Sequence, residues 1–178
     1  MSEQTYREAI RLLQNNGLHP LKVRRPALED IILLERRLNV RLPRSYRAML
    51  LDFGLLQVES ISIAGIGNAG LDGTTSSSVV FSTEKDRRNG LITDTMIQIG
   101  VTGYGPFYFI DCAEIDANGE APVWEAQGNG VSYGKAKIAN SFGDFLLNEV
   151  HSLLKNLRED HESEYSKYWK ERSKDFDH

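Results

Sequence analysis

The first residues in this chain that could do chemistry form a glycine string. Residues 65–70 read GIGNAG, which matches the G-x-G-x-x-G pattern, and they follow a predicted strand. A dinucleotide site also needs a helix that begins at the glycines, because the helix N-terminus binds the pyrophosphate. Residues 71–78 are instead rich in Gly, Ser and Thr and have no apolar stripe. We therefore expect a surface loop here, and we predict no cofactor.

Histidine and cysteine offer neither a metal site nor a nucleophile. The histidines have no i,i+4 spacing and no cysteine nearby: His19, His151, His161 and His178. The single cysteine, Cys112, follows the apolar run 107–110 and has acidic neighbours, so we expect a buried, unreactive thiol. An unpaired cysteine also favours a reducing compartment. No G-x-S-x-G motif is present. We predict that the protein is not an enzyme and binds no metal.

The carboxylates are concentrated in the middle of the chain. Residues 89–134 contain no Lys or Arg and six acids: Asp94, Asp111, Glu114, Asp116, Glu120 and Glu125. A catalytic pair would need a base, a nucleophile or a metal pattern beside it, and none accompanies these acids. Two interpretations stay open. Either the acids occupy loops and strand ends, or they form an acidic face complementary to a basic protein.

Arginines dominate the first 50 residues. Seven of them could bind phosphates: Arg24, Arg25, Arg36, Arg37, Arg41, Arg44 and Arg47. Glu29, Asp30 and Glu35 lie among them, and few aromatic side chains are present for base stacking. We expect these arginines to lie on solvated helix faces and to pair with acids of the same fold. We therefore predict no direct binding of nucleic acid.

Helical spacing predicts three N-terminal helices. A capping box at residues 5–8 begins the first helix, which Asn16 and Gly17 end. Pro26 is expected as the first residue of the second helix, whose buried stripe contains Leu28, Ile31, Ile32 and Leu38. Pro43 opens a third helix that Gly54 ends.

The period then changes to that of strands. Alternation or apolar runs predict strands at residues 60–63, 79–81, 97–99, 107–110 and 122–124. Thr83 is expected to cap a helical turn over residues 84–88, and turns are expected at 103–105 and 116–119. Several short strands joined by turns predict an antiparallel or mixed sheet. The fold class is α+β, with the N-terminal helices packed against a twisted sheet.

A long C-terminal helix closes the predicted domain. It begins at Ser141, and its apolar stripe extends to Leu157. Residues 158–178 are mostly charged and form either a helical extension or a frayed tail. We therefore predict one domain over residues 1–157 and a charged extension over 158–178. The chain has no apolar run long enough to span a membrane and no visible targeting signal, so we expect a cytoplasmic protein.

An ordered set of motifs resembles the SUKH superfamily. Residues 35–50 read ERRLNVRLPRSYRAML and are followed by Gly54, which is similar to the family's E-x-x-L helix, L-P turn and Y-R-x-x-L helix. Further pieces follow in the family's order at residues 97–100, 103–111, 122–124 and 141–142. The first motif also has a structural explanation, since its proline, leucines and glycine shape and pack helices. The resemblance therefore implies architecture more directly than activity.

The resemblance implies a binding function. Bacterial members of the family commonly act as immunity proteins for secreted polymorphic toxins, many of them nucleases, and eukaryotic relatives act as regulatory binding proteins. We therefore expect a non-enzymatic immunity protein that neutralises a cognate toxin through an acidic surface. The sequence leaves the oligomeric state open and favours a monomer. The alternative is a regulatory scaffold that recruits cellular proteins, for which residues 158–178 are available. Candidate contacts are Tyr104, Asp111, Glu114, Asp116, Glu120, Trp124 and Glu125. Trp124 is either an exposed anchor or a core residue.

Overall fold

The computed structural model describes residues 2–101, 106–127 and 130–174. These residues form five α-helices: α1 (Ser2–Asn15), α2 (Leu28–Leu38), α3 (Arg44–Phe53), α4 (Val79–Arg88) and α5 (Phe142–Lys174). They also form six strands: β1 (Leu56–Val58), β2 (Ile61–Ile63), β3 (Met96–Val101), β4 (Phe107–Asp111), β5 (Val123–Ala126) and β6 (Lys135–Ala139). Single 3-10 turns lie at Cys112–Glu114 and Val131–Tyr133. The chain is therefore an α+β domain with a long C-terminal helix, which confirms the predicted fold class.

The strands pair in two antiparallel sheets. β1 and β2 form a hairpin, and the other four strands lie in the order β3-β4-β5-β6. The backbone N–H of Ala64 donates to the carbonyl oxygen of Ile99 at 2.8 Å, which holds the hairpin against β3. Sequential strands joined by short connections can pair only in this antiparallel way, because a parallel pair needs a long crossover.

The four-stranded sheet has two faces with different cover. Its inner face packs on α5, and Ile97, Ile110 and Val123 share the main core with the helices. The outer face carries a second, smaller core: Ile92, Met96, Phe107, Phe109 and Ala126. Trp124 packs against this smaller core. Because side chains alternate along a strand, neighbouring residues of β5 point to opposite faces.

The helices α1 and α5 lie side by side and run parallel. At the start of α5, Gly143 lies against the backbone of Ser2, and at the other end Leu12 and Asn16 border the same groove as Lys155 and Arg158. α5 then continues to Lys174 without a break. The 16 residues after Arg158 extend roughly 24 Å at the rise of an α-helix. The backbone there is helical, so the structure resolves the choice between a helix and a frayed tail as far as Lys174.

The residues of the SUKH-like motif hold elements together. A carboxylate oxygen of Glu35 accepts the backbone N–H of Leu42 at 2.9 Å and so fixes the turn before α3. The hydroxyl of the buried Tyr46 donates to the carbonyl oxygen of Ala64 at 2.8 Å. Gly54 ends α3 with φ of 76°, a conformation that favours glycine. The structural explanation of the motif is therefore confirmed.

The predicted starts of α1 and α2 differ from the structure. α1 begins at Ser2, so residues 5–8 lie inside the helix and the predicted capping box is wrong. α2 begins at Leu28 rather than at Pro26, because the carboxylate of Asp30 accepts the backbone N–H of Ala27 at 2.9 Å and makes Ala27 the cap. Leu28 therefore occupies the first, outward turn and is 48% exposed, so it does not belong to the buried stripe. In contrast, α5 begins next to the predicted residue, Ser141, whose hydroxyl caps the helix.

The predicted strand at residues 79–81 is wrong, because these residues begin α4. The hydroxyl of Ser78 accepts the backbone N–H of Phe81 at 3.3 Å and caps that helix. Thr83, the predicted cap, lies inside α4, where its hydroxyl accepts the backbone N–H of Gln98 at 3.0 Å. Short apolar runs suit buried strands and buried helix turns equally. The strand β6 was not predicted, because Lys135, Ala136 and Lys137 are all exposed and the strand therefore shows no alternation of buried apolar and exposed polar residues.

Candidate partner-binding surface

The predicted contact residues do not form one surface. Asp111, Glu114 and Trp124 lie on or beside the outer face of the sheet, whereas Glu125 lies on the inner face. Asp116 and Glu120 border a groove next to the N-termini of α1 and α5. Tyr104 lies outside the described residues. Closeness in sequence therefore did not produce one continuous acidic face.

Asp111, Glu114 and Trp124 are joined by Lys135 of β6, and we call these four residues the outer-face cluster. The ammonium nitrogen of Lys135 lies 3.4 Å from a carboxylate oxygen of Glu114 and 3.9 Å from one of Asp111. The same nitrogen lies 4.1 Å from the centre of the Trp124 ring. One lysine thus makes two ion pairs and a cation–π contact.

Asp111 is held in place more firmly than the other acid of the cluster. Its Oδ1 accepts the hydroxyl of Thr95 at 2.8 Å and the backbone N–H of Ala113 at 3.1 Å, and the residue is buried. The Glu114 side chain is 38% exposed and contacts only the lysine ammonium through its carboxylate among the described residues. Glu114 is therefore the member of the cluster whose carboxylate is available to a partner.

Lys135 is the residue that sequence reasoning missed. The lysine-free segment ends at residue 134, and the next residue pairs with two of its acids. This contact could have been predicted only if β6 had been recognised as a strand next to β5. The exposed lysines of β6 gave no strand pattern, so the strand was not recognised. The positive charge offsets part of the expected acidic face.

Trp124 is neither a fully exposed anchor nor a fully buried core residue, the two alternatives that the sequence left open. It is partly buried against the small outer core, while the ammonium of Lys135 lies over its ring. Its indole Nε1–H is buried and has no hydrogen-bond acceptor among the residues that the structure describes. A buried donor without an acceptor costs about 1–3 kcal/mol. The side chain is therefore a packed residue whose exposed part adjoins the ammonium of Lys135.

Asp116 stabilises its own turn. Its Oδ1 accepts the backbone N–H groups of Asn118 at 2.9 Å and Glu120 at 3.0 Å. These hydrogen bonds, with that from the Glu120 N–H the largest cause, lower the pKa of the Asp116 carboxyl. The side chain is exposed, but most of its acceptor capacity is used inside the turn.

Glu120 is not part of an exposed surface, contrary to its selection as a contact residue. It is buried, and its carboxylate accepts the backbone N–H of Ser45 at 3.0 Å and the Ser45 hydroxyl at 2.6 Å. The Ser45 oxygen in turn accepts the backbone N–H of Gly143 at 3.2 Å. The carboxylate is drawn inside because the first N–H groups of α3 need an acceptor. Glu120 therefore joins the turn at residues 116–120 to α3 and α5.

The groove beside this network has a volume of about 1050 Å³. Side chains of both signs line it, including Arg7, Arg44, Glu8 and Asp144. Arg7 also pairs with Asp52. Five acids and three arginines line the groove, and of the acids predicted for the contact surface it includes only Asp116 and Glu120, so it does not supply the acidic face that the sequence predicted.

Glu125 is adjacent to Trp124 in sequence but points to the inner face. It pairs across the strands with Tyr108, whose ring lies 5.1 Å from that of Phe145 in α5. Burial, and to a lesser degree the charges of Glu149 and Glu125, raises the pKa of the Tyr108 hydroxyl. Burial also raises the pKa of the Glu149 carboxyl. These two acids are therefore separated from the outer-face cluster by the sheet.

The groups that might have supported catalysis are arranged for structure. Burial raises the pKa of the Cys112 thiol to about 12, so it is not a nucleophile at neutral pH. No group of three or more His, Cys, Asp and Glu side chains that could hold a metal ion occurs in the described part of the chain. No helix begins at the glycine string, since α4 starts only at Val79. Nor is any helix within the described ranges long and apolar enough to cross a bilayer.

Three of the seven N-terminal arginines, Arg24, Arg37 and Arg47, form ion pairs with acids of the same fold. Arg37 makes a bidentate ion pair with Glu84, at 2.8 and 3.2 Å, and a further ion pair with Asp72 at 3.0 Å. These contacts join α2 to α4 and to the loop that carries Asp72. The Glu84 pair is also the main cause that raises the pKa of the Arg37 guanidinium. Paired arginines are less available to phosphates than free ones.

The architecture defines an α+β domain in which helices cover one face of an antiparallel sheet. The SUKH_5 family, described as SMI1-KNR4 cell-wall, matches residues 6–151, and the chain belongs to this family. No curated protein matches the chain. The family includes toxin immunity proteins and SMI1/KNR4 cell-wall proteins, and its members are generally non-catalytic. They typically bind partner proteins such as toxins.

Proposed function

We propose that this protein is an immunity protein that binds a cognate toxin domain in the cytoplasm and neutralises it without catalysis. Membership of a family that includes toxin immunity proteins supports the class of function. The outer-face cluster supports the location, because it combines an aromatic side chain with an exposed acid and a lysine. Aromatic anchors ringed by polar groups are typical of binding interfaces.

The cluster is suited to a toxin with a basic surface, such as a nuclease. An exposed ion pair such as Lys135 with Glu114 contributes only about 0–1 kcal/mol, so a partner's cation can displace the lysine at little cost. Displacement frees the carboxylate of Glu114 and uncovers the ring of Trp124 at the same time. Complementary charge would then steer association, and the tryptophan would provide most of the contact energy.

The first test compares two neighbouring residues that point to opposite faces. Trp124→Ala is expected to weaken toxin binding roughly thirtyfold, which corresponds to about 2 kcal/mol for an interface anchor. Glu125→Ala, on the inner face, is the matched control and should leave affinity within about twofold. Calorimetry with the C-terminal domain of a large secreted protein encoded beside this one measures both, and co-expression reports protection from toxicity. Equal affinities for folded Trp124→Ala and wild type would reject this surface.

The second candidate function is a regulatory scaffold that recruits cellular proteins. It is favoured by the continuation of α5 to Lys174, well past the end of α1, which supplies a helix beyond the body of the domain. A chain that ends at Arg158 is expected to keep full protection against the toxin and to lose only other partners. If that truncated chain stays folded but no longer protects, the extension belongs to the toxin interface and the outer-face cluster alone is insufficient.

A further inference from the structure

The strand β6 leaves one edge of the four-stranded sheet open. It pairs with β5 on one side, and no described residue pairs with it on the other. Lys135, Ala136 and Lys137 are all exposed, so none of the helices and loops that the structure describes covers this part of the edge. An uncovered edge presents backbone N–H and C=O groups that another strand can bind.

The lysines of this edge point to the same face. Lys135 lies opposite Ala126 and Lys137 lies opposite Trp124, so both extend on the outer side of the sheet. Lys135 makes the ion pairs of the outer-face cluster, whereas Lys137 makes no ion pair with a described residue. Ala136, between the two lysines, points to the inner face of the sheet. Its small side chain leaves room for a larger apolar side chain on an adjacent strand.

This arrangement selects the kind of strand that can be added. Antiparallel pairing of two copies of β6 would place lysines opposite lysines, and like charges opposite each other destabilise a strand pair. Lysines on an edge therefore oppose self-association, in agreement with the expected monomer. A segment with acidic residues at alternate positions would instead form ion pairs with both lysines.

We propose that the free edge of β6 binds an extended acidic segment of a partner protein as an added antiparallel strand. Backbone hydrogen bonds supply the contact, and Lys135 and Lys137 select carboxylates at alternate positions. Apolar residues between those carboxylates pack over Ala136 on the inner side. This inference goes beyond the proposed function, because it depends only on the edge and its lysines, whichever protein carries the segment.

A peptide of defined sequence tests the proposal. The probe is a capped eight-residue peptide of alternating Glu and Val, and the control has Lys in place of Glu. Amide chemical shifts of the isotope-labelled full chain are followed to millimolar peptide concentration. The Glu peptide should give saturable shifts centred on residues 135–138, and the Lys peptide should give none. Lys137→Glu should weaken binding by roughly threefold to fivefold. No saturable shifts with the Glu peptide, or equal binding of both peptides, would overturn the proposal.

Proline substitutions separate strand addition from simple charge attraction. Alternate residues of an edge strand point their N–H groups outward, so one of Ala136→Pro and Lys137→Pro removes a free donor and the other removes a bond to β5. The variant that keeps the wild-type melting temperature is the informative one, and it should lose peptide binding. If it binds as the wild type does, the added strand is excluded. Toxin protection that persists without peptide binding would retain the proposed function and reject only this mode.

Discussion

Replacing Glu120 with alanine is expected to destabilise the fold by about 3 kcal/mol. The side chain is buried, and its carboxylate is the acceptor for both the N–H and the hydroxyl of Ser45. Removing it leaves two buried donors without an acceptor at the first turn of α3. The loss extends to α5, because the Ser45 oxygen also accepts the N–H of Gly143. For a chain of this length, the melting temperature should fall by roughly 6 to 12 °C.

The control for this variant is a carboxylate of the same segment that lies at the surface. Glu114→Ala removes an exposed ion pair with Lys135 and should change the free energy of unfolding by less than about 0.5 kcal/mol. Urea unfolding monitored by circular dichroism measures both variants. Glu120→Gln should fall between them, since an amide keeps one acceptor oxygen. A loss below about 1 kcal/mol for Glu120→Ala would show that Ser45 finds other acceptors and that the network is replaceable.

Replacing Gly65 with alanine is expected to cost about 3 kcal/mol or more, at the upper end for overpacking. A Cβ atom at this position would collide with the carbonyl oxygen of Gly54 and lie 2.9 Å from a methyl carbon of Leu50. The backbone cannot move away, because the N–H of Gly65 donates to Ser77 and its carbonyl oxygen accepts the N–H of Val79. The start of α4 is therefore fixed to the end of α3 through a residue that must be glycine.

The next glycine of the same string is the matched control. A Cβ at Gly67 would meet only a methyl carbon of Leu55, at 3.2 Å, and that side chain can rotate away. Gly67→Ala should therefore cost less than about 1 kcal/mol. Urea unfolding measures both variants. The comparison also tests whether packing against α3, rather than nucleotide binding, explains the glycine at position 65 of the string. Similar losses for the two variants would show that the close approach to Gly54 relaxes easily.

Local patterns predicted much of the fold, because the apolar residues of most helices and strands recur with the period of that type of element. Tyr6, Ile10 and Leu13 recur at helical spacing in α1, and all three are buried. The run 107–110 and the alternation at 60–63 predicted strands that are present. The ordered motifs of residues 35–54 indicated the family to which the chain belongs. Each of these signals depends on residues a few positions apart, which propensity and burial control directly.

The errors arose where a distant partner decides the structure. The apolar residues 79–81 are compatible with either a strand or a helix, and the cap at Ser78 together with the packing of α4 on β3 selects the helix.

Gly54 was predicted to permit a left-handed exit from α3. In the structure it also has to be small, because a Cβ there would lie 2.5 Å from the carbonyl oxygen of Ile66.

The sequence by itself determined the class of fold, the order of most elements and the excess of acids in the middle of the chain. Only the tertiary structure decided what those acids do. Glu120 is 75 residues from Ser45 and becomes its buried acceptor, while Glu114 is 21 residues from Lys135 and becomes its surface partner. Local spacing reports which residues are apolar or charged, but the pairing of charges depends on which strands and helix ends meet. That meeting is set by the packing of the whole domain, which the spacing of residues along one segment does not encode.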